Sequence, residues 1–109
     1  MTAENSKGLF EEHRVNQGQG SLYVRDYPGA GPAFVALHGF PDNLQIFDDL
    51  ATHLSRAGRR VVTFDFLGFG ASDKSHEYQY SFEQQFHDLE AVADDLQLDR
   101  IIPVGHAIW

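Results

Sequence analysis

Three short, largely apolar runs punctuate the chain: Phe34-Val35-Ala36-Leu37, Val61-Val62-Thr63-Phe64-Asp65-Phe66 and Ile101-Ile102-Pro103-Val104. A strand buried on both faces reads this way, whereas a strand wet on one face alternates. Between these runs the period changes. Leu44, Phe47, Leu50, Ala51 and Leu54 recur at helical spacing, with Asp42 or Asn43 placed to cap the start and Gly58 placed just past the end. Phe82, Phe86, Leu89, Val92 and Leu96 repeat the pattern, with Ser81 as N-cap and Gln84 three residues on, as in a capping box. The spacing predicts helices over 44–57 and 81–96. Buried strand, helix, buried strand, helix, buried strand implies right-handed crossovers and an α/β fold with a mostly parallel sheet.

The first third of the chain has a different texture. Ser21-Leu22-Tyr23-Val24-Arg25-Asp26-Tyr27 alternates, which suits an antiparallel strand. A first strand is expected around residues 9–15, closed by the turn Asn16-Gln17-Gly18-Gln19-Gly20. Pro28-Gly29-Ala30-Gly31-Pro32 reads as a turn-rich break. Residues 1–20 are therefore a polar N-terminal segment carrying the first strand, and residues 21–109 a single core. No internal repeat or low-complexity stretch is visible.

Composition narrows the function. Sixteen acidic against eight basic residues give a net charge of -8, which argues against nucleic acid and anionic membrane surfaces as partners. The absence of cysteine removes disulfides, thiolate zinc sites and a thiol nucleophile. No apolar run approaches the ~20 residues of a membrane helix. Met1-Thr2-Ala3-Glu4-Asn5-Ser6-Lys7 has no apolar signal core, so the expected location is cytoplasmic. His13, His53, His76 and His87 are scattered, with no i, i+4 pair, so no metal is expected.

Candidate chemistry gathers where doubly wound sheets bind ligands, beyond the carboxyl ends of the parallel strands. After the first buried strand comes Leu37-His38-Gly39-Phe40-Pro41-Asp42-Asn43, where Gly39 permits a tight turn and the next N–H can face an oxyanion. The same residues suit an ordinary strand-to-helix loop. After the second comes Asp65-Phe66-Leu67-Gly68-Phe69-Gly70-Ala71-Ser72-Asp73-Lys74. Its Gly68-x-Gly70 does not make a dinucleotide loop, because Asp73 stands at the third glycine and no apolar-periodic helix follows. Asp65 and Ser72 are instead suited to hydrogen-bond the backbone of this loop. After the third comes Val104-Gly105-His106-Ala107, which alone is a strand end with a packed histidine.

Taken together, His-Gly-Phe-Pro, Asp-x-x-Gly-x-Gly-x-Ser and Val-Gly-His after successive buried strands resemble the α/β-hydrolase family over about residues 20–107. The stretch 64–74, with Tyr80-Ser81-Phe82-Glu83-Gln84-Gln85, is most similar to the branch of epoxide hydrolases, haloalkane dehalogenases and the mesoderm-specific transcript protein. The resemblance implies a partial α/β-hydrolase fold with the strand order 1-2-4-3-5 and helices on both faces, 44–57 on one and 81–96 on the other. It makes the Phe40 N–H an oxyanion donor and gives His38, Gly39, Asp65, Gly68, Gly70, Ser72, Gly105 and His106 motif roles. It places Ala107 at the nucleophile position, where an alanine is not competent, and Ile108 and Trp109 where the turn wants small residues. Phe40, standing where halide-binding members often carry Asn, fits epoxide and ester substrates better. The family's base and its acidic partner lie further downstream. The resemblance implies small-molecule substrates with ester, epoxide or carbon–halogen bonds and needs no cofactor. The expected protein is the N-terminal part of such a hydrolase, inactive as this chain; the alternative is a non-catalytic binding module on the same frame. An unpartnered outer edge at 101–104 would favour self-association.

Overall fold

The computed structural model describes residues 9–39 and 42–105. Five strands make one sheet: β1 (Glu11–Asn16), β2 (Ser21–Tyr27), β3 (Ala30–Leu37), β4 (Arg59–Phe64) and β5 (Ile101–Gly105). Two α-helices, α1 (Asp48–Arg56) and α2 (Phe82–Asp95), make the crossovers. The spatial order is β1-β2-β4-β3-β5, the order the resemblance implied. β1 and β2 form an antiparallel hairpin, and β2 runs antiparallel to β4. β4, β3 and β5 are mutually parallel, with Leu37 the register partner of Gly105.

Successive side chains of a strand point to opposite faces, so neighbouring positions belong to different cores. Val61, with Phe34 beside it, packs against Ala51 and Leu54 of α1 and against Phe10 and Tyr27. Val62, Val35 and Phe64 pack with Val15, Leu22, Val24 and Val92 of α2. The two helices thus cover opposite faces, as the resemblance implied.

Several boundaries differ from the sequence reading. The first strand starts at Glu11, two residues late. The break at 28–32 is shorter than expected, because β3 already begins at Ala30 and pairs with Arg59. Gly29 makes this possible: a Cβ there would lie 2.3 Å from the Arg59 backbone. The first helix opens as a 3-10 turn over Leu44–Phe47, capped by the Asn43 side chain on the Gln45 N–H, and becomes α-helical from Asp48. Gly58 ends it with φ +85°, the left-handed residue that terminates many helices.

The larger correction concerns α2. Helical spacing puts Phe82 and Phe86 on its buried stripe, yet they are 64% and 58% exposed. Gln84, Asp88 and Val92 face inward instead. The cause is polar: Asp88 is drawn against the backbone of the loop after β4, and the helix is rotated to deliver it. Ser81 caps the helix by accepting from the Gln84 N–H at 3.2 Å. The Gln84 Oε1 accepts from the Gln79 N–H at 2.9 Å, two residues upstream of the cap.

The two sheet edges are unlike. β1 carries Glu11, Glu12, His13 and Arg14, and charge guards an edge against pairing. β5 carries no charge, has β3 on one side only among the described residues, and leaves Ile102 38% exposed. No helix among the described residues is long and apolar enough to cross a membrane.

Replacing Ser81 by Ala should lower unfolding stability by about 1 kcal/mol, read from urea denaturation at unchanged m-value. Phe86→Ser should stay within about 0.5 kcal/mol of the parent. A loss of several kcal/mol from Phe86→Ser would restore that residue to the core.

Candidate active site

The parallel strands end together at one edge of the sheet, and each end needs new partners for backbone groups that have left the ladder. His38 supplies one. The Phe66 N–H donates to its Nε2 at 3.1 Å, so that nitrogen holds a lone pair and the proton sits on Nδ1, 2.8 Å from the Gly39 carbonyl oxygen it donates to. The ring is buried and bridges the ends of β3 and β4 in its neutral form. Burial holds its pKa below the usual histidine value, opposed by the Gly39 hydrogen bond and the charges of Asp65 and Asp42. The rings of Phe66 and Phe69 meet it edge-on at 4.9 and 5.2 Å.

Asp65 supplies two more. Its Oδ1 accepts from the Leu44 N–H at 2.7 Å and its Oδ2 from the Ala71 N–H at 2.9 Å. One carboxylate thereby fixes both the entry to α1 and the turn after β4. Gly70 sits over it with φ +52°, and a Cβ there would fall 2.2 Å from Oδ2. The Ser72 hydroxyl donates to the Asp65 carbonyl at 2.6 Å and accepts from the Tyr23 N–H at 2.8 Å, sewing the loop to β2. Gly68, at φ +93°, leaves room for the Tyr80 ring, which a Cβ would meet at 2.3 Å. The loop directs its backbone donors to itself: Gly68 to Asp73, Phe69 to Phe66, Ser72 to Phe69 and Ala71 to Asp65. A phosphate cradle needs such donors free.

Of the residues singled out in the sequence, the structure brings His38, Gly39, Asp65, Gly68, Gly70 and Ser72 into one connected loop system, with Gly105 alongside as the partner of Leu37. Phe40, His106 and Ala107 lie outside the described residues.

Sequence reasoning missed Asp88. It is fully buried; its Oδ2 accepts from the Leu67 N–H at 2.9 Å and its Oδ1 from the Gln17 Nε2 at 2.9 Å. Burial pushes its pKa up to about 6, against those two hydrogen bonds and the nearby His87. Apolar spacing gave no sign of it, because the expected inward stripe ran through Phe82, Phe86 and Leu89. Sequence spacing also hid Glu11, His13 and Asp26, which strand pairing brings within 4.8 Å of one another as a set of metal-ligating types. Asp26 is already held by Arg60 through two hydrogen bonds of 3.1 and 2.7 Å, so a guanidinium supplies the positive charge there. This cluster sits away from the carboxyl ends of the parallel strands.

With three parallel strands, two flanking helices and these loops in place, the fold class is unambiguous. The family model described as the alpha/beta hydrolase fold matches residues 32–107, and the chain belongs to that family. LipZ of Mycobacterium tuberculosis is 37% identical over 87 residues, 80% of this chain and 30% of LipZ. An epoxide hydrolase of Caballeronia sordidicola is 31% identical over 107 residues, 97% of this chain and 32% of that protein. The crystal structure of an epoxide hydrolase from Vigna radiata superposes with a TM-score of 0.81 at 26% identity, covering 91% of this chain and 32% of that one. The chain thus spans about a third of the length of these relatives.

Asp65→Ala strands the Leu44 and Ala71 donors, and unsatisfied buried donors are costly, so a loss of roughly 3 kcal/mol is expected in urea denaturation. Gly70→Ala should reproduce much of that loss by forcing the carboxylate aside. Wild-type stability in both variants would show that the carboxylate does not organise the loop.

Proposed function

We propose that this chain is the part of an α/β-hydrolase-fold hydrolase that holds the oxyanion loop and the nucleophile turn, in the class acting on esters, epoxides or carbon–halogen bonds, and that it does not turn over substrate as this chain. One observation carries the reading: Leu37 and Gly105 are register partners on adjacent parallel strands. The chain therefore leaves β3 at His38-Gly39 right beside Gly105, where β5 ends. Acyl transfer needs that juxtaposition of an oxyanion donor with a nucleophile. In this reading the donor is the Phe40 N–H and the nucleophile position is Ala107, whose methyl group has no electron pair to donate. The family's base belongs to the two thirds of the relatives' length that this chain does not span. The cytoplasm is the working compartment of this reading.

Loss of single triad members lowers turnover by ~10⁴ to 10⁶. The purified 109-residue chain should hydrolyse p-nitrophenyl acetate and styrene oxide no faster than buffer. Turnover that survives repurification and disappears on Phe40→Pro would overturn the reading, because it would require a working oxyanion N–H beside a nucleophile.

The bare β5 edge adds a second expectation, self-association. Its open backbone groups and Ile102 offer a template for another strand, and Pro103 blunts it only in part. At micromolar concentration, light scattering after size exclusion should show species larger than a monomer. Ile102→Lys should shift them toward monomer. A wild-type monomer with a sharp cooperative melt would favour a self-sufficient binding module.

A further inference from the structure

We propose that His38 and Asp88 form a proton-sensitive latch on the loop that leaves β4, closed by hydrogen bonds to two consecutive backbone N–H groups. His38 Nε2 holds the Phe66 N–H at 3.1 Å and Asp88 Oδ2 holds the Leu67 N–H at 2.9 Å. These side chains come from different places, the end of β3 and the middle of α2, and both are buried. Asp88 also ties the loop to a further element, its Oδ1 accepting from the Gln17 amide in the β1–β2 turn, while the His38 Nδ1–H donates to the neighbouring Gly39 carbonyl and fixes the ring.

The two halves respond to protons with opposite sign. Phe66 can donate to Nε2 only while the imidazole is neutral. A proton on Nε2 sets two N–H groups against each other at that distance, and the bond is lost. The acidic groups facing His38 are Asp65, from the end of β4, and Asp42, from the segment before α1; burial outweighs both and holds the ring neutral. A histidine held below its unfolded pKa of about 6.5 contributes stability that is complete above that pH and is lost as pH falls. Asp88 behaves in reverse. Facing it are the Gln17 amide, the Leu67 N–H and, on its own helix, His87. Its carboxyl, pushed up to about 6 from an unfolded value near 4, favours the folded chain at low pH and loses that advantage as pH rises through 6. As pH falls below about 6, Asp88 gains stability while His38 loses it, so the two slopes oppose each other there.

Acid therefore releases the His38 side of the latch. That side carries Gly39 and the start of the segment to which the hydrolase reading gives the oxyanion donor. The latch itself rests only on described residues, and its test reads stability and exchange rather than turnover.

The test compares the full 109-residue chain with His38→Gln and Asp88→Asn by urea unfolding from pH 4 to 8 at fixed protein concentration. Hydrogen exchange of the 65–69 backbone, corrected for intrinsic rates, is followed in parallel. Gln can accept from Phe66 and donate to Gly39 without titrating. Wild type should lose stability relative to His38→Gln as pH falls from 7 to 5, and its 65–69 exchange should accelerate there while that of the variant does not. Relative to Asp88→Asn, the folding constant of wild type should fall about a hundredfold between pH 4 and 7, because a carboxyl raised from near 4 to about 6 changes that constant tenfold per pH unit across the interval. Parallel pH profiles for wild type and both variants would overturn the latch. Should His38→Gln fail to fold, the wild-type imidazole followed by carbon-13 NMR decides: a midpoint well below 6.5 supports the latch, and one at or above about 6.5 refutes it.

Discussion

A parallel strand that ends inside a domain leaves backbone donors with no ladder to enter, and burying them unpaired is costly. β4 meets this constraint at Asp65, Phe66 and Leu67. Asp65 donates back to the Tyr23 carbonyl of β2, Phe66 to a neutral histidine and Leu67 to a buried carboxylate. Much of the rest of the architecture follows from these bonds. They fix where β3 stops and where α1 starts, and they set how α2 is rotated. The exposed Phe82 and Phe86 are the other face of that rotation.

Glycines complete the arrangement at the points where carboxylate or ring must come close. Gly70 gives its space to the Asp65 carboxylate and Gly68 gives its space to Tyr80. The Asp-x-x-Gly-x-Gly-x-Ser motif is a self-contained knot that holds the neighbouring strand ends in place, and its residues act on the site through the backbone they position.

The parallel strands and the crossovers were legible in the sequence, because continuous apolar runs and helical periods are local signals; the distribution of helices over two faces depends on strand order. Strand order came from resemblance, since pairing joins residues far apart along the chain. The inward face of α2 was not legible, for a related reason. Phe82 and Phe86 keep helical spacing with Leu89, and hydrophobicity alone cannot show that a carboxylate at 88 has a backbone partner 21 residues upstream. The Asp65 and Ser72 contacts were guessable in kind from their residue types and position. Their partners, Leu44 and Tyr23, were not. The cluster of Glu11, His13 and Asp26 appears only once β1 and β2 are in register.

The seam between Ser72 and Tyr23 joins residues 49 apart, and that between Asp88 and Gln17 joins residues 71 apart. The β1–β2 hairpin is local and can close early, but much of the core that buries Leu22 and Val24 comes from residues 62–92. Long-range closure slows folding. On a ribosome, the hairpin emerges dozens of residues before the elements that cover it. For that interval its apolar face lacks most of the partners that cover it in the folded chain.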